Sequence, residues 1–239
     1  MNATLSILRR ELGAYFNTPI GYVIIVFFLL ITCFIYVTQL FQAGSADMRG
    51  YFGLLPFFLM LFVPAISMRL WAEERKLGTL ELLMTMPVKS WQAVLGKFLA
   101  GFTFVFIMLA LTFLIPLTLY ILGNPDTGTI IGGYLGGLVL GMVYLAIGSF
   151  ASSLTSDQIV AFIIGISINF LFFLMGYQPV LDWIKDFSPL VSSVVQRFGV
   201  DYHFESIARG VVDSRDIVYA LTITGLFLFL NVLVIDRRR

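Results

Sequence analysis

Few residues in this chain are of a type that could do chemistry. Its one histidine, His203, lies near Asp201, Glu205, Asp213 and Asp216, and its one cysteine, Cys33, sits inside an apolar run. One His with one Cys cannot build an ordinary zinc site, and no H-E-x-x-H is present. Capping and surface roles suit the carboxylates better than a metal, with Asp216 placed near the start of the last apolar run. There is no G-x-S-x-G, and His203 falls outside the apolar runs, which excludes the usual serine-hydrolase arrangement. Gly96 and Lys97 are followed by Phe98 and lack the earlier glycine of a phosphate-binding loop. Cys33, alone and in apolar surroundings, reads as an inert packing residue. We expect no catalytic residue, metal or cofactor in the chain itself. What remains is its densest charge, WAEERKLGTLELLMTMPVKSW at residues 71–91.

A chain built for lipid must position that charge. Of 239 residues, 59% are hydrophobic and 12% charged, and the mean hydropathy is +0.95. No water-soluble fold could hide so much apolar surface. A net charge of +1, without a basic stripe interleaved with aromatics, gives no reason to expect nucleic acid. Six runs, at residues 20–41, 51–68, 98–122, 130–150, 159–177 and 217–235, approach the ~20 apolar residues that a hydrocarbon core of ~30 Å requires. The expected fold is an all-α integral membrane protein, a single transmembrane domain over residues 1–239. Pro56, Pro64 and Pro116 predict kinks in the second and third spans. With the N-terminus inside, the inner segments hold ten Lys and Arg and the outer ones five, so both termini are expected in the cytoplasm. The first run is too long for a signal peptide and should stay in the mature protein.

Residues 1–19 place Leu5, Leu8, Leu12, Tyr15 and Phe16 on one side of a helical wheel, which predicts an interfacial amphipathic helix ended by Pro19, with Arg9 snorkelling at its edge. Gly133, Gly137 and Gly141 recur every fourth residue in the fourth span and predict a close helix contact, more readily within the chain than between copies. Asn169, Asn231, Thr32 and Thr112 are the notable deep polar groups and are expected to bond between helices. No span carries a central ionisable residue, which argues against a gradient-driven carrier, and no charge ring or polar filter suggests a channel. Residues 178–216 form a long outer segment, with two short interfacial helices expected in LVSSVVQRFGV and HFESIARGVV.

On the inner side, residues 71–90 read as one amphipathic helix. Leu77, Leu80, Leu83 and Met84 share an apolar face; Glu74, Gly78, Glu81 and Thr85 form a polar stripe, and Leu82 with Met86 leaves a second apolar edge open to a partner. Gly78 inside a helix costs about 1 kcal/mol relative to Ala, which suggests close approach of another group.

EERKLGTLELLMTMPV resembles the E-R-x-x-G-T-x-E-x-L-L-x-T-x-P signature of ABC-2 type transporter permeases, and the six-span layout fits that family over nearly the whole chain. HFESIARGVVDSRDIVYALTITGLFLFLNVLVI is similar to the C-terminal part of permeases of the gliding-motility and nitrous-oxide-reductase-maturation kind. The resemblance implies that residues 71–90 are the coupling helix, that Glu73, Glu74, Arg75, Gly78, Thr79, Glu81 and Leu82 contact an ATPase, and that re-entrant outer helices precede the last span. It also implies the partners: two copies of a separate ABC ATPase that bind ATP and Mg, a second permease copy or paralogue, membrane lipid, and an extracytoplasmic accessory protein. The expected function is the permease subunit of an ATP-driven exporter in a bacterial inner membrane; the alternative is a component that transmits ATPase-driven motion to a partner without moving a solute.

Overall fold

The computed structural model describes residues 3–43, 47–81, 88–123, 125–210 and 213–237, which are helical with short connections and contain no strand. Five helical stretches are long and apolar enough to cross a membrane: Pro19–Phe41, Arg49–Lys76, Ser90–Leu122, Thr127–Leu154 and Ser214–Asp236. A sixth arises if Gln158–Leu174 and Gln178–Phe187, bent by 62° at their junction, count as one span.

Helix α1 (Ala3–Asn17) precedes α2 (Pro19–Ala43), and Pro19 opens α2 rather than merely closing α1. α3 (Arg49–Ser67) runs through Pro56 and Pro64, and α4 (Arg69–Lys76) follows after a break at Met68. The third span is α5 (Ser90–Ala110), a 3-10 turn over Leu111–Phe113, and α6 (Leu114–Leu122). Pro116 explains the turn: it has no N–H for the Thr112 carbonyl, which instead accepts from the Tyr134 hydroxyl at 3.1 Å. α7 (Thr127–Leu154) is the axis of the bundle, with α3, α5, α8 (Gln158–Leu174) and α12 (Ser214–Asp236) packed on it.

The glycines of α7 make that packing possible. A Cβ on Gly137 would fall 2.8 Å from Leu55 of α3, and one on Gly141 would fall 2.9 Å from Val105 of α5; Gly133 faces the Phe52 ring. The expected stripe is therefore a contact within the chain.

Two expectations about buried polar groups change. The Thr32 hydroxyl bonds back to the Phe28 carbonyl of its own helix at 2.7 Å, and both amide atoms of fully buried Asn169 lack a partner among the described residues. Asn231 and Thr112 do bond between helices, to Ser149 and Tyr134.

Before the last span lie three short helices where two were expected: α9 (Gln178–Phe187), α10 (Pro189–Phe198) and α11 (Val200–Ala208). Asp213, not Asp216, caps α12, accepting from the Arg215 N–H at 3.0 Å. Asp216 is buried and sits 2.6 Å from His203 Nδ1, tying α11 to α12. Trp183 and Phe187 of α9 and Leu190 of α10 are exposed.

Candidate functional site

The charged run begins as a continuation of α3. At Met68 the helical ladder is interrupted, and Ser152 of α7 bridges the gap. Its hydroxyl accepts from the Trp71 and Ala72 N–H groups, 3.1 Å each, and donates to the Met68 carbonyl at 2.7 Å. The first N–H groups of a helix have no partner in their own turn, and α4 has no capping side chain of its own, so a hydroxyl from another helix takes that role. Trp71 is fully buried; its Nε1 donates to Ser149 Oγ at 3.3 Å. One turn on, Arg75 Nη2 donates to the Ser153 carbonyl at 2.6 Å, placing a cation on the negative, hydrogen-bond-poor end of α7.

Beside Trp71 lies an ion cluster that joins three helices. Lys97 Nζ of α5 stands 2.9 Å from Glu11 Oε1 of α1 and 2.9 Å from Glu74 Oε1 of α4. Arg10 Nη2 stands 2.7 Å from each of the same two carboxylates. The Lys97 ammonium also lies 5.0 Å from the centre of the Trp71 ring. Lys97 is fully buried, and removing an ammonium from water is tolerable only when such partners replace the solvent. Burial pushes the Glu11 carboxyl up, but Lys97 and Arg10 outweigh it and hold Glu11 below the usual carboxylate value. Burial likewise lowers Arg10, and Glu11 and Glu74 more than restore it.

A second clamp holds the start of α4. Arg69 pairs with Glu73 at 3.0 Å, donates to Thr18 Oγ1 at 3.0 Å and lies over the Tyr15 ring, while the Tyr15 hydroxyl donates to the Ile66 carbonyl at 2.9 Å. The α1 face that meets the protein thus includes Ile7, Glu11 and Tyr15; Leu5, expected on the apolar stripe, is exposed.

Beyond this foot the chain turns outward. α4 stops at Lys76, the Gly78 N–H bonds the Arg75 carbonyl at 3.2 Å, and Gly78 has φ +69°, the left-handed conformation that ends many helices. An added Cβ there would meet nothing within 4 Å among the described residues, so within the chain the glycine serves the backbone turn. The single helix expected over residues 71–90 is thereby divided, and the Glu74–Gly78–Glu81 stripe is split between two directions. Leu77, expected on the bundle-facing side, is 68% exposed, whereas Leu80 packs against the core. Thr79 and Glu81 are exposed and Glu73 is partly so. Of the other expected contact residues, Glu74 and Arg75 are engaged inside the chain, and Leu82 lies outside the described residues.

The sequence model of a family described as ABC-2 family transporter protein matches residues 37–198, from the end of the first span through the charged run to α10. The chain belongs to the ABC-2 transporter family. No curated protein matches it. As an ABC-2 permease it is a multi-pass membrane subunit of an ABC transporter, a class that works with an ABC ATPase. In this ABC-2 chain the charged signature residues fall into an anchored part, up to Arg75, and an exposed tip at residues 77–81.

Proposed function

We propose that the chain is the permease half of an ATP-driven exporter in a bacterial inner membrane, paired with a second copy or paralogue and served by two separate ATPases that bind ATP and Mg. The tip at residues 77–81 is the coupling element, with Leu77, Gly78, Thr79 and Glu81 as its ATPase-facing surface and both termini in the cytoplasm. One observation carries this reading: an exposed turn stands on a foot whose Arg69, Glu73 and Glu74 are paired inside the chain. Closure of the ATPases displaces the tip, and because Glu74 is tied to Arg10 and Lys97 and Arg75 to Ser153, α1, α5 and α7 move with it. In this reading the path lies at the seam between copies, and the chain is of the gliding-motility or nitrous-oxide-reductase-maturation kind, both by family resemblance. Helices α9 to α11 offer an outer seat for an accessory protein.

Thr79→Cys in a Cys33→Ser background, treated in membranes with a short thiol-to-amine cross-linker, should capture the ABC ATPase. Ser193→Cys, at the opposite end, should not. An assembled, ATP-hydrolysing complex that gives no Thr79 cross-link, or a Thr79→Cys thiol labelled by an impermeant reagent from outside the cell, overturns the reading.

A further inference from the structure

At the end of the bundle opposite α4, a cavity of about 610 Å³ opens between the starts of α3 and α7, the α8–α9 bend and α11. Its lining is mixed. Phe52, Phe204 and Tyr177 supply aromatic surface, and Asp126, Asp201 and Glu205 supply carboxylates. Two of those carboxylates are already used: Asp126 accepts from the Gly128 N–H at 3.0 Å and the Thr129 hydroxyl at 2.7 Å, and Glu205 pairs with Arg209 at 2.6 Å. Asp201, only partly exposed, has no ion-pair or hydrogen-bond partner among the described residues. Its place is fixed by the bend itself. A Cβ on Gly176 would fall 2.9 Å from Asp201 Cβ, so only a glycine lets α11 lie so near.

We propose that this cavity binds an organic ammonium group, with Asp201 as its counter-ion and Phe52, Phe204 and Tyr177 as aromatic walls. An unpaired carboxylate costs free energy when withdrawn from water, and a cation that also sits against aromatic rings offsets that cost. An anion is the poorer fit: Arg209 is taken by Glu205, and Arg49 lies 3.8 Å from Asp47. The groups around Asp201 are Glu205 and Arg209 of its own segment, Arg49 of α3, Asp126 and Tyr144 of α7, and Tyr177 at the bend. Burial, with help from Glu205, pushes the Asp201 carboxyl up to about 6. Below that pH it is neutral and the site loses its counter-ion; above it the site is charged. The inference does not use the tip at residues 77–81, so a failed cross-link at Thr79 leaves it standing.

The test uses the full chain in phosphatidylglycerol nanodiscs, with benzyltrimethylammonium as probe and its neutral tert-butyl isostere as control, followed by calorimetry. The cation should bind saturably, and the isostere about tenfold more weakly or not at all. Asp201→Asn should lose about tenfold or more, while Asp182→Asn on α9 should not change binding. Wild-type affinity should fall as pH drops below about 6, and that dependence should vanish in Asp201→Asn. Equal binding of cation and isostere, or an Asp201→Asn protein that binds as tightly as wild type, overturns the proposal. Should that variant fail to fold, a wild-type affinity unchanged from pH 7.5 to 5 overturns it equally. Nanodiscs of phosphatidylethanolamine separate the sources: competition with the probe assigns the site to a lipid headgroup, and undiminished probe binding assigns it to a free organic cation.

Discussion

Lys97 and Glu74, 23 residues apart in sequence and on different helices, are held at 2.9 Å with the Trp71 ring beside them. The pair anchors the start of the charged run in the bundle, whereas Leu77, Gly78, Thr79 and Glu81 beyond it are exposed. Lys97→Met should therefore destabilise the protein by about 3–5 kcal/mol, because two carboxylates would then share one partly exposed arginine. The double variant Lys97→Met with Glu74→Gln, which leaves the Arg10–Glu11 pair intact, should lose clearly less than the sum of the two single changes. Thermal unfolding in detergent measures both. Additive losses would show that the ions do not act as a unit.

Acid should open the same cluster. Glu11 is held below its ordinary value of 4.5, so its contribution is fully present above that pH and is lost as pH falls from 4.5 through the folded value. Protection of the α1 amides against hydrogen exchange, taken relative to the intrinsic rate at each pH, should fall below pH 4.5 in the wild type. In Glu11→Gln that protection should already be low at neutral pH and respond less to acid.

The turn at Gly78 has open space around it, so substitution there tests the backbone alone. Gly78→Ala should cost about 1–2 kcal/mol locally, from the left-handed φ, and Gly78→Asn less. Neither should shift global unfolding by more than that. Both should weaken ATPase capture in a pull-down, alanine more than asparagine; equal capture by all three proteins would mean that tip direction is immaterial.

Tyr134 and Pro116 should be energetically linked. Tyr134→Phe strips the donor from the Thr112 carbonyl and should cost about 1–2 kcal/mol. Pro116→Ala supplies a backbone N–H to that carbonyl, and in its background the Tyr134→Phe loss should shrink. An unchanged loss would assign the Tyr134 effect to the Thr112 hydroxyl, 2.9 Å away.

The spans were readable because an apolar run of the right length has few alternatives, and the glycine stripe because its spacing implies a face. Their limits were less readable. The helix that carries the third span begins at Ser90, ahead of the apolar run at residue 98, and holds within it Lys97, a charge that usually marks a boundary but is here neutralised by residues on α1 and α4. No wheel of α1 alone could show that Glu11 belongs on the packed side, because the reason is another helix. The close approach expected at Gly78 came from helix propensity alone, and a sequence does not carry the dihedral angle that explains the glycine within the chain. The roles of Ser149 and Ser152 were hidden for a similar cause: a hydroxyl that bridges a break in a distant helix looks like any other serine. Helix α9 was missed because QPVLDWIKDF mixes a proline with charges in a segment expected to be a connection.

The separation of 86 residues between Glu11 and Lys97 also sets an order of assembly. As the chain emerges from the ribosome, α1, α2, α3 and α4 are all made before the lysine that neutralises two of their carboxylates. Until then those acids need water or Arg10 alone, so the amino-terminal helix cannot settle against the bundle. Its docking waits for the third hairpin arm to enter the bilayer, and a transcript cut short before codon 97 should yield a product that quality-control proteases recognise and degrade.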